Sequence, residues 1–223
     1  MNLKKFNNLL ELFFNQYEKQ DKNNIFLSSL KSPIKEFSWE DTKISILNLS
    51  KEFKKYIQKG DRCLLISENR PEWLITDLAI MLASGITVPA YTTYVERDYE
   101  YIINDCKPSI IIVSNNNQYL KIKNIIKDKS FIKKVFSFET LDELEKVNYF
   151  EINNYLNKNR ITDLNIPTIQ LYRKDPACII YTSGTQGNPK GVILSHGGIL
   201  NNCEGGCELI EPFISKQSRF LTW

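Results

Sequence analysis

Residues Tyr181 to Gly191, YTSGTQGNPKG, bring together three glycines, the hydroxyls of Thr182, Ser183 and Thr185, one lysine and one proline. They follow directly on the apolar run Ala177, Cys178, Ile179 and Ile180. Glycines remove Cβ atoms where backbone must approach something closely or take a positive φ. Hydroxyls and exposed N–H groups donate hydrogen bonds, and Lys190 adds a mobile positive charge. Such a set suits an anion with several oxygens, and phosphate is the first candidate.

The elements around this stretch must hold it. Apolar residues Phe6, Leu9, Leu10, Phe13, Phe14 and Tyr17 recur at helical spacing and predict one buried stripe. A helix is expected from Thr42 to Ile57, with Gly60 just past its end. Cys63 to Ile66 reads as a strand covered on both faces. Pro71 suits the first turn of a helix that stops near Gly85. The alternation continues with a strand at Ile86–Tyr91, a helix at Arg97–Cys106 and a strand at Ser109–Val113. Asn115, Asn116 and Asn117 are expected to be a polar loop ahead of a helix from Tyr119 to Ile126. A strand at Val135–Phe138 and a helix starting near Leu141 follow.

Strands separated by helices in this way predict an α/β fold, a Rossmann-like, mostly parallel sheet flanked by helices. Such sheets bind ligands beyond the carboxyl ends of their strands. Residues Asn148 to Asp175 read as a connector. Beyond it, Ala177–Tyr181 and Val192–Leu194 are strand-like, so the glycine-rich stretch is expected to join two strands. A helix from about Gly198 and a strand at Phe220–Trp223 complete the reading. The organisation expected is an α/β subdomain over residues 1–165 and the start of a second sheet subdomain over 166–223.

Bulk properties narrow the function. A chain of 223 residues with 42% hydrophobic and 25% charged residues can bury a core. A net charge of +3 is too small to argue for nucleic acid. Five cysteines at irregular spacing suit reduced thiols. Cys203 and Cys207 could share a helix face, but one histidine in the whole chain makes a zinc site there poorly supplied. The apolar region Trp73–Tyr91 is interrupted by Asp77, Gly85 and Pro89, against a membrane span. A cytoplasmic location is expected, with peripheral membrane association of a complete enzyme and its oligomeric state left open.

Two familiar phosphate loops fail. A Walker loop needs glycines five apart, followed by Lys and Ser or Thr. Counting from Gly184 reaches Pro189, and counting from Gly187 reaches Val192. The segment after Lys190 also looks like a strand rather than a helix that could offer its dipole. The dinucleotide fingerprint lacks its first glycine.

The stretch instead resembles the signature of the adenylate-forming (AMP-forming) acyl-CoA synthetases. It matches at Tyr181, Thr182, Ser183, Gly184, Thr185, Gly187, Pro189, Lys190 and Gly191, followed by VILSH. Upstream, FSWEDTKISILNLSKEF is similar to the family's early Trp-containing helix start, and GDRCLLISENRPEWLITDLAIMLASGITVPAYTTY to the Rossmann-like sheet region of its long-chain fatty-acid members; these stretches are read as fold rather than chemistry.

The resemblance implies ATP, Mg2+ and coenzyme A as cofactor and co-substrates, and a fatty acid as substrate. It implies that Thr182, Ser183, Thr185, Gln186 and the backbone of Gly184 and Gly187 bind the outer phosphates. Thr185 would also touch magnesium, and Lys190 and Thr185 would carry the catalytic role. Gln186 stands where the family usually has threonine, which predicts altered nucleotide affinity. His196 is expected to pack or cap the next helix rather than act as a base, and Glu208 and Glu211 to be solvated.

The resemblance covers about the first two-fifths of a complete member, so the reading is an amino-terminal portion that is inactive alone. A non-catalytic nucleotide-binding remnant, or an enzyme adenylating another carboxylate, stays open as the alternative.

Overall fold

The computed structural model describes residues 2–30, 34–142, 149–154, 156, 165–182, 189–215 and 218–220. The first helix, α1 (Leu9–Lys19), starts where the Asn8 side chain accepts a hydrogen bond from the Glu11 backbone N–H at 2.8 Å. This satisfies one of the donors that a helix start leaves over. Its stripe of Leu10, Phe13, Phe14 and Tyr17 is buried, as the spacing predicts.

A small antiparallel ribbon follows, β1 (Ile25–Ser28) with β2 (Glu36–Ser38). No sequence pattern had marked it; the strands are short, and β1 lies half-exposed. The next helix, α2 (Trp39–Phe53), begins three residues earlier than its apolar spacing predicts. The reason is a capping box. Ser38 Oγ accepts from the Asp41 backbone N–H, and Asp41 Oδ2 accepts from that of Ser38, both at 3.1 Å. The helix closes at Phe53 rather than Ile57, and the chain turns through Gly60, whose φ of +86° is one that other residues rarely adopt.

The core of the molecule is a seven-stranded sheet. Its first members are β3 (Arg62–Ile66), β4 (Ile86–Ala90), β5 (Ile110–Val113), β6 (Lys134–Ser137) and β7 (Tyr149–Glu151). They are joined by β8 (Pro176–Thr182) and β9 (Lys190–Ser195), giving the spatial order β7-β6-β5-β3-β4-β8-β9. Every neighbouring pair is parallel except β8 with β9. The mostly parallel α/β sheet expected from the sequence is therefore present. Residues on both sides of position 165 contribute strands to it, since β8 pairs with β4 at Thr87 and Cys178.

Side chains of successive strand residues leave on opposite faces, and two cores result. Cys63 and Leu65 of β3, with Ile110, Ile112 and Phe136, pack beneath α1, α2 and α3 (Pro71–Leu82). Leu64, Ile66, Ile111, Val113 and Val135 pack on the other face. There they meet α4 (Glu96–Cys106) and the short helices α5 (Asn116–Leu120) and α6 (Lys123–Ile126). Pro71 occupies the first turn of α3 as predicted.

Several boundaries differ from expectation. The expected helix over Tyr119–Ile126 is divided into α5 and α6, and α5 begins within the asparagine run. Asn115 is its N-cap, accepting from the Gln118 N–H at 3.2 Å, so the run is a helix start and not a loop. The last helix, α7 (His196–Ile210), starts two residues before Gly198 because Ser195 caps it, accepting from the Gly198 N–H at 3.1 Å. Leu141 and Asp142 are not helical, and residues 143–148, where the rest of that expected helix falls, lie outside the described residues. Phe220 is not in a strand, and residues 221–223 likewise lie outside.

The buried thiols are packing groups. Burial pushes the Cys63 thiol well above its usual range and that of Cys106 up to about 12, so both stay protonated. Among the described residues no helix is long and apolar enough to cross a membrane.

Candidate phosphate-binding site

Tyr181 and Thr182 end β8, and Lys190 and Gly191 begin β9, which pairs with it antiparallel. Pairing runs through Ile179 with Ile193, Ile180 with Val192, Tyr181 with Gly191 and Thr182 with Lys190. Among the described residues the last pair of the ladder is therefore a hydroxyl residue and the lysine, both exposed. Directly opposed residues in an antiparallel pair have Cα atoms about 4.5–5.5 Å apart. Thr182 and Lys190 are thus neighbours although eight positions separate them. Ser183, Gly184, Thr185, Gln186 and Gly187, the other expected site residues, lie outside the described residues.

The hairpin sits where an α/β sheet offers a ligand its place. Because β8 runs parallel to β4, its carboxyl end lies beside that of β4, on the ligand-binding edge of such sheets. A strand, not a helix, follows Lys190. The N-terminal helix dipole of a Walker loop is therefore absent directly after Lys190.

The hairpin base is anchored sideways. Tyr181 is buried, and its hydroxyl donates to Asp105 Oδ2 on α4 at 2.5 Å. Its ring meets that of Tyr101 edge-on, with centroids 6.5 Å apart. Burial, with the Asp105 hydrogen bond adding to it, pushes the Tyr181 phenol far above its ordinary range, so it is a donor at any physiological pH. Sequence spacing carried no sign of this link, because the partners are distant along the chain and meet only through the fold.

His196 is buried in the first turn of α7, where Nδ1 accepts from the Leu9 backbone N–H at 3.4 Å. Burial lowers its pKa, with Asp175 opposing only in part. A neutral ring that holds two helix starts together fits the expected packing role. Glu211 is exposed, as expected of a solvated charge; the side chain of Glu208 lies outside the described residues.

A second polar cluster stands past the ends of β3 and β6. Glu72 is buried and accepts from Lys35 Nζ at 2.6 Å and from Arg70 Nε at 3.0 Å, while Arg70 Nη1 reaches Glu139 at 2.9 Å. Burial by itself would raise the Glu72 pKa, but the hydrogen bonds from Arg70 and Lys35 outweigh it and hold the carboxylate below its usual range. A cavity of about 290 Å³ lies nearby, lined by Lys35, Phe37, Asn153 and Leu156. It shares no residue with the hairpin, and its one cation is already committed to Glu72.

No group of three or more His, Cys, Asp or Glu among the described residues could hold a metal ion.

Comparison with known proteins agrees with this fold. A family model described as AMP-binding enzyme matches residues 13–223. The long-chain-fatty-acid–CoA ligase ACSBG2 of Mus musculus is 35% identical over 139 residues, which cover 60% of this chain and 21% of that protein. Fatty acyl-CoA synthetase A of Dictyostelium discoideum is 29% identical over 160 residues, covering 67% and 23%. The matched region thus spans between a fifth and a quarter of these relatives. Among solved structures, the anthranilate CoA ligase AuaEII in complex with anthranoyl-AMP superposes with a TM-score of 0.73 at 20% identity, over 88% of this chain and 36% of that one. A luciferase-like enzyme from the nonluminescent mealworm Zophobas morio gives 0.72 at 19%, over 88% and 44%. At such identities these neighbours establish the fold alone. The family match runs through nearly the whole sheet and the hairpin with its Thr182–Lys190 rung, and the chain belongs to the AMP-binding enzyme family.

Proposed function

We propose that this chain is the phosphate-gripping portion of an enzyme that activates a long-chain fatty acid with ATP and passes it to coenzyme A. A carboxylate oxygen attacks the α-phosphorus of ATP, the bond to the β-phosphate oxygen breaks, and pyrophosphate leaves. The coenzyme A thiol then attacks the acyl carbon, AMP departs with the bonding pair, and the thiol proton is released. The observation that carries this reading is the closing rung of the hairpin, Thr182 opposite Lys190 at the carboxyl edge of the sheet. The long-chain-fatty-acid–CoA ligases among the relatives support the acid class.

Attack by one anion on another needs charge neutralised by preorganised donors. Lys190 follows the charge as pyrophosphate separates. Thr182, Ser183, Thr185 and Gln186, with the backbone N–H groups of Gly184 and Gly187, hold the β- and γ-oxygens. Thr185 would help to hold the magnesium ion that accompanies the nucleotide, which would supply further neutralisation of the phosphate charge. The same reading keeps residues 166–223 as the opening of a second sheet subdomain in the complete enzyme, and leaves residues 1–223 inactive by themselves.

Acid-dependent ATP–pyrophosphate exchange tests this, run on the complete polypeptide that carries residues 1–223 with a panel of long-chain, aryl and amino acids. Exchange with long-chain fatty acids alone supports the reading. Exchange only with another acid class moves the substrate, and none with any acid leaves the nucleotide-binding remnant.

A further inference from the structure

We propose that Asp105 is a positioning residue for the phosphate site, holding the base of the β8–β9 hairpin through Tyr181. This inference rests on the nucleotide reading above and extends it to a residue outside the glycine-rich stretch.

Two rungs join the hairpin to its tip: Tyr181 with Gly191, then Thr182 with Lys190. Because consecutive strand residues point to opposite faces, fixing the Tyr181 side chain also fixes the direction in which Thr182 leaves the strand. Tyr181 is fixed at both ends. Its ring is buried in the core beneath α4, and its hydroxyl donates to Asp105 Oδ2 at 2.5 Å, a hydrogen bond to a carboxylate of the stronger kind.

Gly191 completes the arrangement. A Cβ there would lie 2.9 Å from Ile179 Cγ2 and 3.2 Å from Tyr181 Cζ, so the cross-strand partner must be a glycine for the ring to lie where it does. The motif glycine next to Lys190 is thus explained by the tyrosine packing against it.

The anchor is firm. On α4, Tyr99, Ile102 and Ile103 are fully buried, and the Tyr99 hydroxyl donates to the Tyr91 carbonyl at 2.7 Å, just past the end of β4. Helix α4 therefore grips both β4 and β8, the two strands whose carboxyl ends flank the site. Asp105 itself is exposed at the rim and adds no apolar burial. Its contribution is the one hydrogen bond, and what that bond locates is the rung carrying Lys190. A site that works by placing donors around a phosphate loses much of its effect when they shift by about 1 Å.

The test uses the complete polypeptide with Tyr181→Phe, Asp105→Ala, their double variant and Asp105→Asn. Asparagine keeps an oxygen that can accept from the phenol and serves as the rescue. The expected result is a KM for ATP raised roughly tenfold in each of the first two, the size of one lost charge-assisted hydrogen bond. The double variant should be no worse than either single one, Asp105→Asn close to the parent, and the KM for the acid unchanged. Amide exchange at Tyr181, Thr182, Lys190 and Gly191 should quicken while α4 keeps its protection.

A KM for ATP unchanged in Tyr181→Phe and Asp105→Ala overturns the proposal, including the case where only thermal stability falls. So does an additive double variant. If the parent shows no exchange of ATP with pyrophosphate, the nucleotide reading fails, and amide exchange at the four positions decides the anchoring claim by itself.

Discussion

Lys190 and Thr182 face each other because a strand register places them so, a pairing that residue types alone did not announce. Spacing disposed of a Walker loop by simple counting, and the strand after Lys190 agrees. Gln186 is the residue at which this chain departs from its family's pattern, and the departure is testable. On the proposed reading its amide would still donate to a phosphate oxygen, but as a poorer substitute for a hydroxyl near magnesium. Gln186→Thr should tighten ATP binding by about fivefold, roughly one hydrogen bond's net worth, as measured by titration calorimetry on the complete polypeptide; unchanged or weaker binding would count against the assignment of Gln186 to the phosphates. Asp105 was invisible at this scale. Its link to Tyr181 spans 76 positions, and nothing in either residue's local pattern announces a partner.

Elements were legible where periodicity was long and hidden where local hydrogen bonding decided. The apolar run Cys63–Ile66 could only be a strand buried on both faces, and all four residues are inaccessible. Apolar spacing placed the start of α2 at Thr42, after the Ser38–Asp41 box, although SWED carries the pattern of such a box in one-letter code and the resemblance marked a helix start there. Asn115 was passed over for the same reason, a polar residue read as loop where it caps a helix. The ribbon of β1 and β2 is too short for alternation to register.

Two predictions belong to the junctions between elements. Glu72, on the first turn of α3, is tied to Lys35 and Arg70. Removing one member of a buried ion pair costs about 3–5 kcal/mol. Glu72→Ala should fall near 3 kcal/mol, since Lys35 and Arg70 both keep some access to solvent. Because its folded pKa is depressed, the stability it gives is present above the unfolded carboxylate pKa and is lost as pH falls through the folded value. Urea melts of parent and variant should therefore converge in acid, and a constant gap between them would contradict the ion-pair account.

His196 joins the starts of α1 and α7. Its pKa is also lowered, here because burial disfavours the imidazolium, and two helix N-termini oppose a positive charge beside them. An unfolded histidine then binds the proton first, so stability is full above the unfolded pKa of about 6.5. It falls as pH drops below that, by at most about 1.4 kcal/mol per pH unit for one proton. His196→Asn retains an acceptor for the Leu9 N–H and should flatten this part of the stability curve between pH 7 and 5. A variant whose slope equals the parent's would place the titration elsewhere.

For the molecule as a whole, alternating strands and helices announced the fold class, while strand order could not be read from them. That β8 returns to the sheet next to β4, after the chain has passed through β5, β6 and β7, depends on which exposed edge was left to pair. The consequence is that the Thr182–Lys190 rung lies beside the carboxyl end of β4. The matched region spans between a fifth and a quarter of its curated relatives, and chemistry on an acyl group is assigned to the complete polypeptide. Residues 1–223 alone should show no acid-dependent exchange of pyrophosphate into ATP. The most direct test of the central claim is that exchange in the complete polypeptide with a long-chain fatty acid, parent beside Lys190→Ala. Fatty-acid-dependent exchange in the parent, reduced at least about 100-fold in the variant, is the result predicted here; exchange that survives the loss of the Lys190 ammonium, or none in the parent, would contradict it.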